Sequence, residues 1–161
     1  MADLEDHADW TGINIKRSVV CGKPNRKKGP SMLELTVDGV VYATEGEAIL
    51  ARLLAKLGIA FTPNVRICLK TPDDAKRPEV LYVPDFIFDR QAYVWRNDDG
   101  TKEVIHGIEC KGEHRREATA KGRGRDKVRL LRQQRGINVK ILSTDEIRVF
   151  AQAGALPMKL L

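Results

Sequence analysis

Two carboxylates interrupt apolar runs of this 161-residue chain at positions where they could take part in chemistry. Glu109 and Lys111 lie two residues apart within residues 107–112, and Asp85 lies alone in the apolar run of residues 81–88. In a β-strand, residues i and i+2 share a face, so Glu109 and Lys111 are predicted to lie side by side. A charge placed in such a run is costly unless it is paired. The pattern therefore favours a functional site.

A third acid, Glu47, is expected to face the same site. Residues 44–47 match the Ser/Thr-x-x-Glu capping box, which predicts that a helix begins there. Glu47 lies three residues before Leu50, the first of a stripe of leucines at helical spacing, and Gly58 ends the helix. Capping alone would account for Glu47. We adopt the alternative that its carboxylate also faces Asp85, because two other isolated carboxylates need a common partner.

Three carboxylates and one lysine suggest a metal centre. Like charges raise each other's pKa, and a hard divalent cation such as Mg²⁺, or Mn²⁺, would relieve their repulsion. Asp85 and Glu109 could supply carboxylate oxygens and Cys110 its backbone carbonyl, while Glu47 could bind a second ion or orient water. Water on such an ion is acidified and can attack a phosphodiester. Lys111 could steer that water or stabilise the developing charge.

The elements that would position these residues alternate between strands and helices. The predicted elements are a hairpin over 33–42 turning at Asp38-Gly39, a helix over 44–57, strands over 59–70 and 80–88, a hairpin of 91–96 and 101–111 turning at 97–100, a helix over 125–135, a strand over 137–142 and a helix over 143–153. An apolar tail, 156–161, is expected to pack on the domain or on a partner. This order predicts an α/β sandwich around a mixed sheet.

One domain is expected over residues 1–161. Its core would span about 44–142, with a hairpin and basic loop at 16–43 before it and a helix and tail at 143–161 after it. The chain has 28 Lys and Arg against 22 Asp and Glu, a net charge of +6. That excess favours a polyanionic partner.

The positive charge is concentrated in two segments. The candidate contacts with a phosphate backbone are Lys23, Arg26, Lys27 and Lys28 in the first, and Arg115, Arg116, Lys121, Arg123 and Arg125 in the second. The first segment is punctuated by Gly and Pro, so it reads as a loop, either a solvated linker or an arm that contacts phosphates.

Other classes of protein are disfavoured. The three cysteines, Cys21, Cys68 and Cys110, include no C-x-x-C pair, which argues against a zinc site, and their odd number argues against a disulfide framework. No apolar run is long enough to span a bilayer. The acidic first residues do not resemble a secretory signal, so a cytoplasmic location without membrane association is expected.

Together these residues resemble the PD-(D/E)xK nuclease superfamily. Pro84-Asp85 corresponds to the PD half, Glu109-Cys110-Lys111 to the ExK half, and Glu47 to the acidic residue of the first core helix, so the resemblance covers roughly residues 44–142. It implies a restriction-endonuclease-like fold, a four-stranded mixed sheet flanked by helices, and Mg²⁺-dependent cleavage of DNA. The layout is most similar to resolvases and transposase end-cleaving subunits. The interval between Asp85 and Glu109 is longer than in compact members, and residues 89–103 are expected to extend the hairpin.

Three interpretations compete. The first is a metal-dependent DNA endonuclease, for which a symmetric homodimer would suit cuts on opposite strands. The second is a non-catalytic nucleic-acid-binding module on the same scaffold. The third is an ordinary α/β protein in which Glu109 and Lys111 form an ion pair on an exposed strand. We favour the first, because binding alone requires cations rather than converging carboxylates.

Overall fold

A computed structural model describes residues 4–15, 31–71, 78–112 and 124–161 of the chain. The described residues form a mixed α/β structure with four helices and several small sheets, so the predicted α/β class is confirmed. The helices are α1 (Met32–Leu35), α2 (Glu45–Lys56), α3 (Gly124–Arg135) and α4 (Thr144–Ala153). None of the helices in these ranges is long and apolar enough to cross a membrane.

The strands are short and are divided among four sheets. They are β1 (Thr36–Val37), β2 (Val40–Val41), β3 (Phe61–Pro63), β4 (Ile67–Lys70), β5 (Glu79–Tyr82), β6 (Phe86–Phe88), β7 (Tyr93–Arg96), β8 (Lys102–Ile105), β9 (Gly107–Lys111), β10 (Val139–Ser143) and β11 (Met158–Leu160). The central sheet has the order β10-β9-β6-β3. In it β10 runs parallel to β9, and the other neighbouring pairs are antiparallel, so the sheet is mixed. A three-stranded sheet, β11-β7-β8, and two ribbons, β1-β2 and β4-β5, complete the described strands.

Helix α2 forms where the capping pattern predicts it. The Thr44 side chain accepts a hydrogen bond from the backbone N–H of Glu47 at 3.2 Å, which satisfies a donor in the first turn. Leu50 and Leu54 are fully buried, and the helix packs against α4. Gly58, with φ +71°, follows the last turn.

Two apolar clusters form the core. The first contains Leu50 and Leu54 of α2, Phe86 and Phe88 of β6, and Ile147 of α4. The second contains Ile87 of β6, Leu131 of α3, and side chains of the β4-β5 ribbon. Alternate residues of β6 thus enter different clusters, as the period-two geometry of a strand requires. The central sheet is buried on both faces.

Three predicted strands are each broken in two, which corrects the sequence interpretation. The run 59–70 divides into β3 and β4 at Asn64, whose φ of +53° ends the extended backbone. The run 80–88 divides into β5 and β6 around Pro84, which has no N–H to donate. The run 101–111 divides into β8 and β9 at His106. The buried ring of His106 accepts the Asn138 N–H at 3.0 Å and lies 2.8 Å from Asp6.

The predicted first hairpin is shorter than expected, because residues 32–35 are helical. A capping box of Ser31 and Glu34 starts this turn of helix. The predicted type I′ turn is present, since Asp38 and Gly39 have φ of +48° and +78°.

The last two helices agree with the predictions. Helix α3 ends at Arg135, directly before Gly136 with its φ of +65°, and helix α4 follows a capping box of Ser143 and Glu146. The hairpin of β7 and β8 turns at 97–100 but belongs to a separate sheet from β9. The apolar tail packs on the domain, because β11 pairs with β7.

Candidate active site

Strand β9 places Glu109 and Lys111 on one face, as the spacing predicts. The ammonium of Lys111 donates to Oε1 of Glu109 at 2.7 Å. The Glu109 side chain is only 9% exposed and that of Lys111 is 29% exposed. The ion pair of the third interpretation is therefore present, but the residues of β9 are buried or half-buried, so the strand that carries it is not an exposed one.

Asp85 is joined to the same strand by two hydrogen bonds. Its backbone N–H donates to Oε2 of Glu109 at 3.1 Å, and its Oδ2 accepts the N–H of Cys110 at 2.7 Å. The registered pairing of β6 with β9 covers only Phe86–Ile108 and Ile87–Gly107. Beyond that pairing, the Asp85 carboxylate binds the N–H of Cys110. The break at Pro84 therefore brings Asp85 beside Glu109.

The Glu109 carboxylate accepts three hydrogen bonds from residues that the structure describes. Its Oε2 accepts hydrogen bonds from the Asp85 N–H and from the hydroxyl of Tyr82 at 3.3 Å, and its Oε1 accepts from Lys111. Burial, followed by the charges of Glu109 and Asp85, raises the pKa of Tyr82, so the hydroxyl remains a donor. Sequence reasoning missed Tyr82, because a tyrosine in an apolar strand carries no signal of its own.

Glu47 both caps its helix and contributes to the electrostatics of this site. Its Oε2 accepts the N–H of Ala43 at 3.3 Å. In a capping box it would instead accept the N–H of the N-cap residue, Thr44. Burial raises the pKa of Glu47, and the charge of Glu109 raises it further. We call Glu47, Asp85 and Glu109, together with Lys111, the acid cluster.

The environment of the acid cluster disfavours ionisation of all three carboxyl groups at once. Burial raises the pKa of Asp85 well above its usual value, and the charges of Glu109 and Glu47 add to that effect. Burial acts in the other direction on Lys111, but the hydrogen bond and charge of Glu109 raise its pKa overall. Lys111 is therefore an ammonium, and one amine does not offset three neighbouring carboxyl groups.

The chemistry of these donors fits a hard divalent cation. Within the described ranges, no three His, Cys, Asp or Glu side chains are already arranged to hold an ion. The Asp85 carboxylate accepts the N–H of Cys110, and the Glu109 carboxylate accepts the N–H of Asp85 and the ammonium of Lys111. All the candidate ligands are oxygens, the atoms that a hard divalent cation prefers, and a nearby cation would oppose the effects that raise the pKa values of Asp85 and Glu47.

The side chain of Cys110 is not the ligand that such an ion would use. It packs against the first apolar cluster. Burial, followed by the charge of Asp85, raises the pKa of its thiol well above the usual value. The backbone carbonyl of Cys110 stays the predicted donor at this position.

Most of the predicted DNA contacts lie outside the described residues. These are Lys23, Arg26, Lys27, Lys28, Arg115, Arg116, Lys121 and Arg123. Arg125 is the second residue of α3. On the same helix Lys127 donates to the carbonyl of Leu81 at 3.1 Å, so α3 is tied to the strand that carries Tyr82.

No protein-family model, curated protein or solved structure matches this chain significantly.

Proposed function

We propose that this protein is a metal-dependent DNA endonuclease with a restriction-endonuclease-like fold. The observation that carries the proposal is the pair of hydrogen bonds that joins Asp85 to Glu109 and Cys110, with Lys111 bound to the same Glu109. Burial and mutual repulsion both penalise the charges of three acids gathered around one amine, and such an arrangement is more typical of a functional site than of a purely structural one.

Each residue of the acid cluster has a distinct role in this proposal. Asp85, Glu109 and the Cys110 carbonyl would hold Mg²⁺ or Mn²⁺, which supplies an acidified water and offsets charge on the phosphate. Lys111 is protonated and partly exposed, so its ammonium can stabilise charge that develops on a phosphate oxygen. Glu47, at the start of α2, can orient the attacking water or hold a second ion.

The composition supports DNA as the substrate. The net charge of +6 and the two basic segments favour a polyanion, and phosphate contacts are the main source of affinity for DNA. The mixed four-stranded sheet with α2 at its side is the arrangement that the resemblance to PD-(D/E)xK nucleases implies.

Cleavage of supercoiled plasmid in the presence of Mg²⁺ or Mn²⁺ tests the proposal. We expect nicking by the natural chain, and a loss of about 10²–10³-fold in rate for Lys111→Ala, since that is the usual effect of removing a group that stabilises developing charge. Asp85→Asn should also be inactive, because it removes a metal ligand. Lys140→Ala is the matched control, since Lys140 forms a similar ion pair with Glu103 at 2.6 Å outside the acid cluster.

The control outcomes separate the alternatives. Nicking that persists in both Asp85→Asn and Lys111→Ala would show that the acid cluster is not responsible. Binding of DNA that is sensitive to salt, without cleavage under either metal, would identify the chain as a non-catalytic module instead.

A further inference from the structure

We infer that Tyr82 is a positioning residue that fixes the orientation of Glu109 for binding a divalent cation. The inference rests on the proposed function, because it concerns the same acid cluster. Tyr82 does not belong to the motif by which the cluster is identified in the sequence. The structure places its hydroxyl on Oε2 of Glu109, at 3.3 Å.

Tyr82 reaches the acid cluster from outside the central sheet. It ends β5, which pairs with β4 in a separate ribbon, and its residue is 4% exposed within the second apolar cluster. Its ring is therefore fixed by packing, and its hydroxyl is the only polar atom of the side chain. A buried phenol usually finds a hydrogen-bond partner. Here that partner is a proposed metal ligand.

The two oxygens of Glu109 are held in different ways. Oε2 accepts from Tyr82 and from the backbone N–H of Asp85, and both of these donors are fixed by the fold. Oε1 accepts from Lys111, which lies at the end of a long and partly exposed side chain. The donors on Oε2 thus set the plane of the carboxylate, while the contact at Oε1 can be exchanged. Outer donors of this kind orient metal ligands and contribute to metal affinity.

Tyr93 provides a matched control in the same chain. It is also buried, at 8% exposure, and its hydroxyl donates to Oε1 of Gln91 at 3.2 Å. Its ring packs against Phe88 in the first apolar cluster, and its hydroxyl has no contact with the acid cluster. Removing the Tyr93 hydroxyl should therefore leave metal binding unchanged, whereas removing the Tyr82 hydroxyl should weaken it.

Calorimetric titration with Mn²⁺ alone, in the absence of DNA, tests the inference. We expect Tyr82→Phe to bind Mn²⁺ about 10-fold more weakly than the natural chain, the lower end of the usual effect of removing such a donor. Tyr93→Phe should bind with unchanged affinity. Equal affinity in Tyr82→Phe and the natural chain would overturn the positioning role and leave the proposed function intact. Failure of the natural chain to bind Mn²⁺ would overturn both.

If Tyr82→Phe does not fold, an NMR measurement on the natural chain still tests the inference. With ¹³C at Cζ of tyrosine, the three tyrosine signals can be assigned with the help of Tyr42→Phe and Tyr93→Phe. Addition of Mg²⁺ should move the signal of Tyr82 and not that of Tyr93. A Tyr82 signal that stays in place while Mg²⁺ binds would contradict the inference.

Discussion

Asp85 is held in an environment that opposes its own charge. Its carboxylate is satisfied by one backbone N–H, that of Cys110, but burial and the charges of Glu109 and Glu47 raise its pKa. Groups that reduce stability in this way are frequent at functional sites, because the chemistry requires them. At the scale of single residues, the acid cluster lowers the stability of the metal-free protein, and a bound cation would offset this loss.

Replacing Asp85 by Asn should therefore stabilise the protein in the absence of metal. The amide is close in shape, and its oxygen can still accept the N–H of Cys110. We expect a gain of about 0.5–2 kcal/mol in the free energy of unfolding, with Tm rising by about 2–4 °C per kcal/mol. Asp89→Asn is the control, because Asp89 is exposed and accepts from Thr62 at 2.6 Å. A lower Tm for Asp85→Asn than for the natural chain would contradict this prediction.

The same substitution should change how stability depends on pH. The pKa of Asp85 is higher in the native state than its ordinary value, so between those two values the native state retains a proton that the unfolded chain has lost. The stability of the natural chain should consequently fall as pH rises through this interval. Urea unfolding at several pH values should show a smaller fall for Asp85→Asn.

At the scale of elements, the acid cluster depends on the close approach of β6 and β9. Gly107 begins β9 opposite Ile87, and a Cβ at this position would lie 2.2 Å from the carbonyl oxygen of Phe86. Only glycine permits this contact, because real Cβ atoms do not come so near a backbone oxygen. Glu109 lies two residues after Gly107, and Asp85 lies two residues before Ile87, so the distance between these two acids depends on this close contact.

Gly107→Ala should force the two strands apart. We expect a loss of about 1–3 kcal/mol or more in the free energy of unfolding, measured by urea denaturation, and weaker cleavage by whatever protein remains folded. Gly112→Ala is the matched control, because its Cβ would meet no described atom within 4 Å. Equal stability of the two variants would show that the contact between β6 and β9 is not tight.

Local patterns predicted the elements that carry their own signals. The capping residues of α2 and α4 and the Asp38-Gly39 turn determine backbone conformation through neighbours in sequence, and these predictions are confirmed. The sequence patterns did not predict that the strands over 59–70 and 101–111 are interrupted at Asn64 and His106. The ring of His106 is bound by Asp6 and Asn138, which are distant in sequence, so no local pattern could reveal that break.

The acid cluster was predictable for a different reason. Charged residues in apolar runs are rare enough to stand out, and the i, i+2 relation places Glu109 and Lys111 on one face whatever the sheet. Tyr82 was not predictable, since its approach to Glu109 depends on how the β4-β5 ribbon packs against the central sheet.

At the scale of the whole molecule, the positive charge should control affinity for DNA. Replacing Arg26, Lys27 and Lys28 together by Ala should weaken binding to all sequences alike. Each phosphate contact that is lost should reduce the slope of log K against log salt by about 0.9. Fluorescence anisotropy with a labelled duplex at several salt concentrations measures this slope. An unchanged slope would exclude this segment from the DNA-binding surface.

Diffraction from crystals containing Mn²⁺ tests most directly whether the acid cluster binds a hard divalent cation. We predict an anomalous scattering peak within coordination distance of the Asp85 and Glu109 carboxylates, and its absence in crystals of Asp85→Asn. Crystals of the natural chain in Mn²⁺ that show no such peak, with Lys111 still bound to Glu109, would contradict binding of a cation by the acid cluster.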